Sequence, residues 1–168
     1  MTTLFAQPYD ISATGFYFES AAQYEERAAG AVNHYGQPVE EYEIQFIDGE
    51  EIDCALAEAW ELNQCNFAAW LDAVEEWEED RKVRYIIARR ECGYGHGELE
   101  GEDPDDLVEI HFTESLRELA EEFVDEGLFG EIPASLRNYI DYEAIARDLS
   151  MEYTKTCIAG HRLVYVCR

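Results

Sequence analysis

The chain of 168 residues carries 38 Asp and Glu against 12 Lys and Arg, a formal net charge of -26 at pH 7. A surface of that sign repels nucleic acid and anionic lipid, and no apolar run approaches the roughly 18 residues that cross a bilayer. An aromatic complement of 3 Trp, 11 Tyr and 8 Phe within 47% hydrophobic residues excludes a disordered acidic tail, which buries nothing and is poor in aromatics.

The acids are spread evenly, 19 in residues 1–90 and 19 in residues 91–168, threaded between apolar positions. The start, Met1 to Pro8, lacks the basic segment and long apolar stretch of a signal peptide, so a cytoplasmic protein is expected. With no export signal, the five cysteines read as reduced thiols. The partner suited to so acidic a surface is a basic one, and proteins that bind DNA are the commonest carriers of large basic surfaces.

Residues 1–51 read as a strand–helix–strand unit. Gly15 to Glu19 forms a short strand, and Ser20 with Gln23 opens a helix through a capping box. That helix spaces Ala21, Tyr24 and Ala28 and ends near Gly30. After the turn at His34 to Pro38, Glu41 to Ile47 alternates polar and apolar residues, the pattern of a half-buried strand closed by Asp48-Gly49.

Residues 52–103 read as mainly helical. Asp53 is placed to cap a helix containing Leu56, Ala59 and Trp60. A second helix sets Phe67, Trp70, Leu71, Val74 and Trp77 on one face, with Asp72, Glu75, Glu76, Glu78, Glu79 and Asp80 opposite. Like charges four apart repel by about a few tenths of a kcal/mol per pair, so stability alone does not choose this arrangement. Arg81 to Arg90 holds five of the twelve cations and reads as internal neutralisation of neighbouring acids. The Gly, Pro and acid content of residues 93–106 reads as a linker.

Residues 104–168 read as a C-terminal α/β unit. Val108, Ile110 and Phe112 alternate with Glu109 and His111 in a strand, and Ser115 with Glu118 opens a helix. Leu116, Leu119, Ala120, Phe123 and Val124 make its apolar stripe, while Glu114, Glu118, Glu121, Glu122, Asp125 and Glu126 cover the rest until Gly127 ends it. Gly130 and Pro133 lead into a further helix with Leu136, Tyr139, Ile140 and Leu149 inward, and a hairpin turns at Ala159-Gly160. The pattern gives a mixed α+β chain of two to three small strand–helix units with an acidic surface.

None of the constellations that carry catalysis is present: no Gly-x-Ser-x-Gly elbow and no HExxH helix. Cys92-x3-His96 and Cys157-x3-His161 fall in different units and neither matches a structural zinc pair. Gly93-x-Gly95-x-Gly97 runs into Glu98 and Glu100, which repel phosphate. Asp103 to Asp106 starts like a calcium loop but has Val108 where the loop needs glycine. A non-enzyme without metal or cofactor is expected.

Acids three or four apart on a helix lie about 5–6 Å from each other, a spacing comparable to the phosphates of one DNA strand. At duplex charge density, 26 charges correspond to roughly 44 Å of B-DNA. The rows at Asp72 to Asp80 and at Glu114 to Glu126 are therefore candidate phosphate mimics, suited to the cationic groove of a DNA-binding enzyme; composition alone equally allows a solvated, solubilising surface.

The stretch Leu128 to Leu149, with Asn138-Tyr139-Ile140-Asp141-Tyr142 followed by Ala146-Arg147-Asp148-Leu149, resembles the antirestriction motif of the ArdA family. The resemblance implies a protein of mobile elements that inhibits type I restriction–modification enzymes by mimicking B-form DNA at their methyltransferase core. It implies an elongated string of small α/β units, dimeric through the C-terminal part. It also implies that Gly130, Pro133, Leu136, Asn138, Tyr139, Asp141 and Tyr142 shape that region and the dimer contact near it. The alternative is an acidic adaptor that sequesters a basic DNA-binding protein without antirestriction activity.

Overall fold

Leu4 and Ala6 alternate on one strand and are fully buried, and the core of the first unit is built around them. In the computed structural model, described over residues 2–95, 99 and 103–168, the chain divides into two units, residues 1–96 and 97–168. Both mix helices with one three-stranded antiparallel sheet, giving a mixed α+β protein with seven α-helices among the described residues.

In the first unit, β1 (Thr3–Pro8) lies between β2 (Phe16–Phe18) and β3 (Tyr42–Asp48), with Leu4 opposite both Phe18 and Phe46. The central strand β1 has no counterpart in the sequence reading, because its alternation covers only a few residues at the chain's start. Gly15 lets β2 approach β1: a Cβ there would lie 2.5 Å from Phe5 Cζ and 2.6 Å from the Ala6 carbonyl oxygen.

Helix α1 (Ala21–Ala29) starts as the capping box requires, with Ser20 Oγ accepting from Gln23 N and Gln23 Oε1 accepting from Glu19 N. Its buried Tyr24 joins Phe18, Tyr42 and Phe67 in an aromatic cluster, the Tyr24 and Phe67 rings 4.6 Å apart. That cluster ties the sheet to α3 (Phe67–Glu76), which touches α2 (Glu51–Trp60), and α2 packs in turn against α4 (Glu79–Arg90).

Two readings of this region need correction. Asp53 does not cap α2: Glu50 holds the cap position, and Asp53 lies buried within the first turn. The second helix also stops short of Trp77, which turns extended at ψ 133 so that a new helix starts at Glu79. The break lets Trp77 reach Trp60 and Tyr85, both at 5.5 Å. The basic stretch that follows is a core helix, with Val83, Ile86, Ile87 and Ala88 fully buried.

In the second unit, α5 (Pro104–Leu107) leads into β4 (Val108–His111), followed by α6 (Leu116–Asp125), a 3-10 turn (Arg137–Tyr139) and α7 (Tyr142–Leu149). The hairpin of β5 (Thr154–Ile158) and β6 (His161–Cys167) completes a sheet of order β4-β6-β5. Ala159 at φ 46 and Gly160 at φ 82 supply the paired positive φ that a tight hairpin turn needs. Leu119, Phe123 and Val164 form the core, with Leu116, Leu149 and Tyr153 packed against it.

Leu136 and Tyr139 do not point inward as the helical spacing implied; they are 54% and 83% exposed. The chain turns extended at Ile140, so these residues never share a helix with Leu149. Cys54, Cys65 and Cys157 are free thiols, whereas Cys92 and Cys167 depart from the expectation of five. No described helix is long and apolar enough to cross a membrane. Of the expected linker, residues 96–98 and 100–102 lie outside the described residues, and Pro104 to Asp106 belong to α5 rather than to a linker.

Candidate functional site

Both units are negative in their own right, the first with 20 acids against six cations and the second with 18 against six. Asp53 is the one buried acid among the described residues, so nearly every carboxylate keeps contact with water. Burying an unpaired carboxylate costs several kcal/mol, which drives these side chains outward.

On α3, Asp72, Glu75 and Glu76 follow the i, i+3, i+4 spacing that makes helix positions neighbours. All three are exposed and pair with no described cation. The other three acids of the row belong to a different element. Glu78 is the N-cap of α4, and Glu79 and Asp80 occupy its first turn. Negative charge there is favourable by about 0.3–1 kcal/mol through the helix dipole, so these three have a structural reason that the α3 acids lack. Asp80 Oδ2 also accepts from Arg84 Nη1 at 2.8 Å, and that bond holds its carboxyl below the usual carboxylate range.

The second row follows α6. Glu118 opens it, its Oε2 accepting from Glu114 N at 2.8 Å while Ser115 Oγ accepts from Glu118 N. Glu121 pairs with Arg117 at 3.1 Å, Asp125 with Arg137 at 3.1 Å, and Glu114 with Arg162 at 3.7 Å. Glu122 and Glu126 pair with no described cation. Asp125 and Glu126 lie at the C-terminal end of α6, where the dipole disfavours a carboxylate. The row is thus partly neutralised and partly placed against local stability.

The cations show the complementary pattern. Lys82, Arg84, Arg89 and Arg90 pair with Asp53, Asp80, Glu61 and Glu58, and Arg81 lies over the Trp77 ring at 5.0 Å. Arg168 sits 2.6 Å from Glu109, whose carboxyl it holds below the ordinary range. The basic stretch serves internal neutralisation, but Lys82, Arg89 and Arg90 pair with acids of residues 53–61 rather than with the neighbouring acids expected.

The motif residues occupy one surface segment. Gly130 takes φ 88 after α6, the Pro133 carbonyl accepts from Leu136 N at 2.8 Å, and Asn138 and Tyr139 form the exposed 3-10 turn. Asp141 caps α7, accepting from Ala144 N at 3.0 Å, and Tyr142 begins that helix half-buried. Leu128, Phe129, Leu136 and Tyr139 all expose more than half their surface. Sequence reasoning missed this apolar group by reading Leu136, Tyr139 and Ile140 as the inward face of a helix led by Gly130 and Pro133, where the chain makes only a 3-10 turn.

The family model described as antirestriction protein (ArdA) matches residues 11–162, nearly the whole chain. The chain belongs to the ArdA family. Membership carries antirestriction function, and the family consists of inhibitor proteins rather than enzymes. No curated protein matches the chain. The match spans both units, so the two acid rows and the exposed motif lie within the ArdA region. Among the described residues no group of three or more His, Cys, Asp or Glu is arranged to hold a metal ion.

Proposed function

We propose that the protein inhibits type I restriction–modification enzymes as a DNA mimic, competing with duplex for the groove of the methyltransferase core. The observation that carries this reading is the asymmetry of charge use. At least eight of the twelve cations are held in ion pairs with acids of their own unit, while Asp72, Glu75, Glu76, Glu122 and Glu126 pair with no described cation. What faces a partner is therefore anionic, with carboxylates at helical spacings that stand in for phosphates.

The candidate mimics are Asp72, Glu75, Glu76, Glu78, Glu79 and Asp80 in the first unit, and Glu114, Glu118, Glu121, Glu122, Asp125 and Glu126 in the second. Binding through them follows duplex binding: it weakens as salt rises, because counterion release drives it. The exposed apolar group of the motif segment serves as the contact of a homodimer. The site of action is the cytoplasm, where restriction meets incoming DNA.

The test is competition for the isolated methyltransferase core. Labelled duplex is displaced stoichiometrically by the protein at low salt, with displacement failing as salt rises. A ternary complex of enzyme, duplex and protein overturns groove occupancy. Plating unmodified phage on a type I restricting host checks the outcome in cells, where absence of protection favours an acidic adaptor instead.

A further inference from the structure

Two loops of the first unit, residues 9–13 and 31–41, are held together by polar contacts yet expose large apolar side chains. Asp10 Oδ1 accepts from Ser12 N at 2.9 Å and from Ser12 Oγ at 2.7 Å, and Asp10 Oδ2 accepts from Asn33 Nδ2 at 2.9 Å. Asn33 Oδ1 accepts from Tyr35 N and Gln37 N, both at 2.9 Å, and Tyr9 N donates to the Glu41 carbonyl at 3.2 Å. The loops are organised before any partner arrives, which removes most of the ordering cost of binding.

What they present is unusual for so polar a chain. Tyr9 is 66% exposed, Tyr35 79% and Ile11 100%. Tyr9 and Asp10 wall a surface groove of about 240 Å³ with Pro38, Val39, Glu40 and Glu41. Both loops lack Lys and Arg, and the six cations of the unit are held elsewhere, Arg27 on the Tyr17 carbonyl and the others on α4. The groove therefore joins an aromatic ring and an apolar floor to two exposed carboxylates.

We propose that this groove receives an arginine side chain from the basic protein partner. The chemistry fits arginine better than lysine. A planar guanidinium stacks on a tyrosine ring and donates to a carboxylate in the same plane, while its methylene stem covers Pro38 and Val39. A second copy of this chain is disfavoured as the occupant, since each copy carries -26. The inference rests on the partner being a cationic protein and adds a point contact of defined side-chain preference to the distributed charge.

The experiment is an amide-detected NMR titration of the full chain with deca-arginine and with deca-lysine, equal in charge. Deca-arginine binds about two- to fivefold more tightly, the size of one exposed cation–π contact, and shifts the amides of residues 9–13 and 35–43 most. Tyr9→Ala erases the preference while leaving lysine binding and the melting temperature unchanged, and Tyr35→Ala is the second variant. Equal affinity for the two peptides overturns the proposal, as does a preference that survives Tyr9→Ala. Sedimentation showing that Tyr9→Ala dissociates a dimer overturns it in favour of a self-interface. The peptide preference stands whether or not the restriction enzyme binds, so a failure of the mimicry reading shows separately, as no displacement of duplex.

Discussion

Lys82 Nζ lies 2.8 Å from Asp53 Oδ1, and both residues are buried, joining the first turn of α2 to the first turn of α4. In a chain with a surplus of acids this is the carboxylate taken inside, and it is taken inside with its own cation. Removing one partner leaves a lone buried charge. Lys82→Met is expected to lower stability by about 3–5 kcal/mol in denaturant unfolding, and Asp53→Leu added to it recovers much of that loss. A loss no greater than that of a surface substitution would mean that water reaches the pair.

Charge neutralisation is expected to act by degrees. Asp72→Asn, Glu75→Gln and Glu76→Gln each weaken enzyme binding by no more than about fivefold, the size of one exposed ion pair. Together they flatten the dependence of log Kd on log salt, because fewer counterions are released. Isothermal titration at several salt concentrations reads both quantities. Abolition of binding by one of the three would replace the distributed picture with a discrete site.

Leu136→Ala and Tyr139→Ala remove exposed side chains, so each is expected to change folding stability by no more than about 0.5 kcal/mol. Their effect belongs on self-association: sedimentation equilibrium shifts from dimer toward monomer. Because two copies carry like charge, the proposed dimer is expected to strengthen with added salt while enzyme binding weakens. A large drop in melting temperature from Tyr139→Ala would place that ring inside the fold.

Acid stability of the second unit depends on Glu109, whose pKa is lowered first by the hydrogen bond from Arg168 and then by His111. A carboxyl with a depressed folded pKa stabilises the fold above its unfolded value, near 4.5, and that contribution is lost as pH falls through the lower folded value. Glu109→Gln is therefore expected to leave a shallower decline of stability below about pH 4.5, read by urea unfolding across pH. An unchanged acid limb would assign the decline to other carboxyls.

The local elements were legible where the signal is short-range. Ser20 with Gln23 and Ser115 with Glu118 cap α1 and α6 as read, and Ala159-Gly160 turns the hairpin, because each needs only residues within a few positions. The motif tied the chain to its family, whereas the first acid row, read on one helix, is divided between α3 and the start of α4. Helix continuity was not legible. Trp77 has the period of α3, but packing against Trp60 and Tyr85 is a contact across sequence, and it ends the helix where periodicity would extend it.

The sequence by itself determined the sign of the protein's field, its mixed α+β character and its ArdA motif, all of which are sums or near-neighbour patterns. Only the tertiary structure decided how individual charges are used. It took Asp53 inside with Lys82, placed Glu78, Glu79 and Asp80 at a helix start that welcomes them, and turned Leu136 and Tyr139 to solvent. The reason is that net charge is additive along a chain, whereas the role of one carboxylate depends on burial and on cations up to tens of residues away.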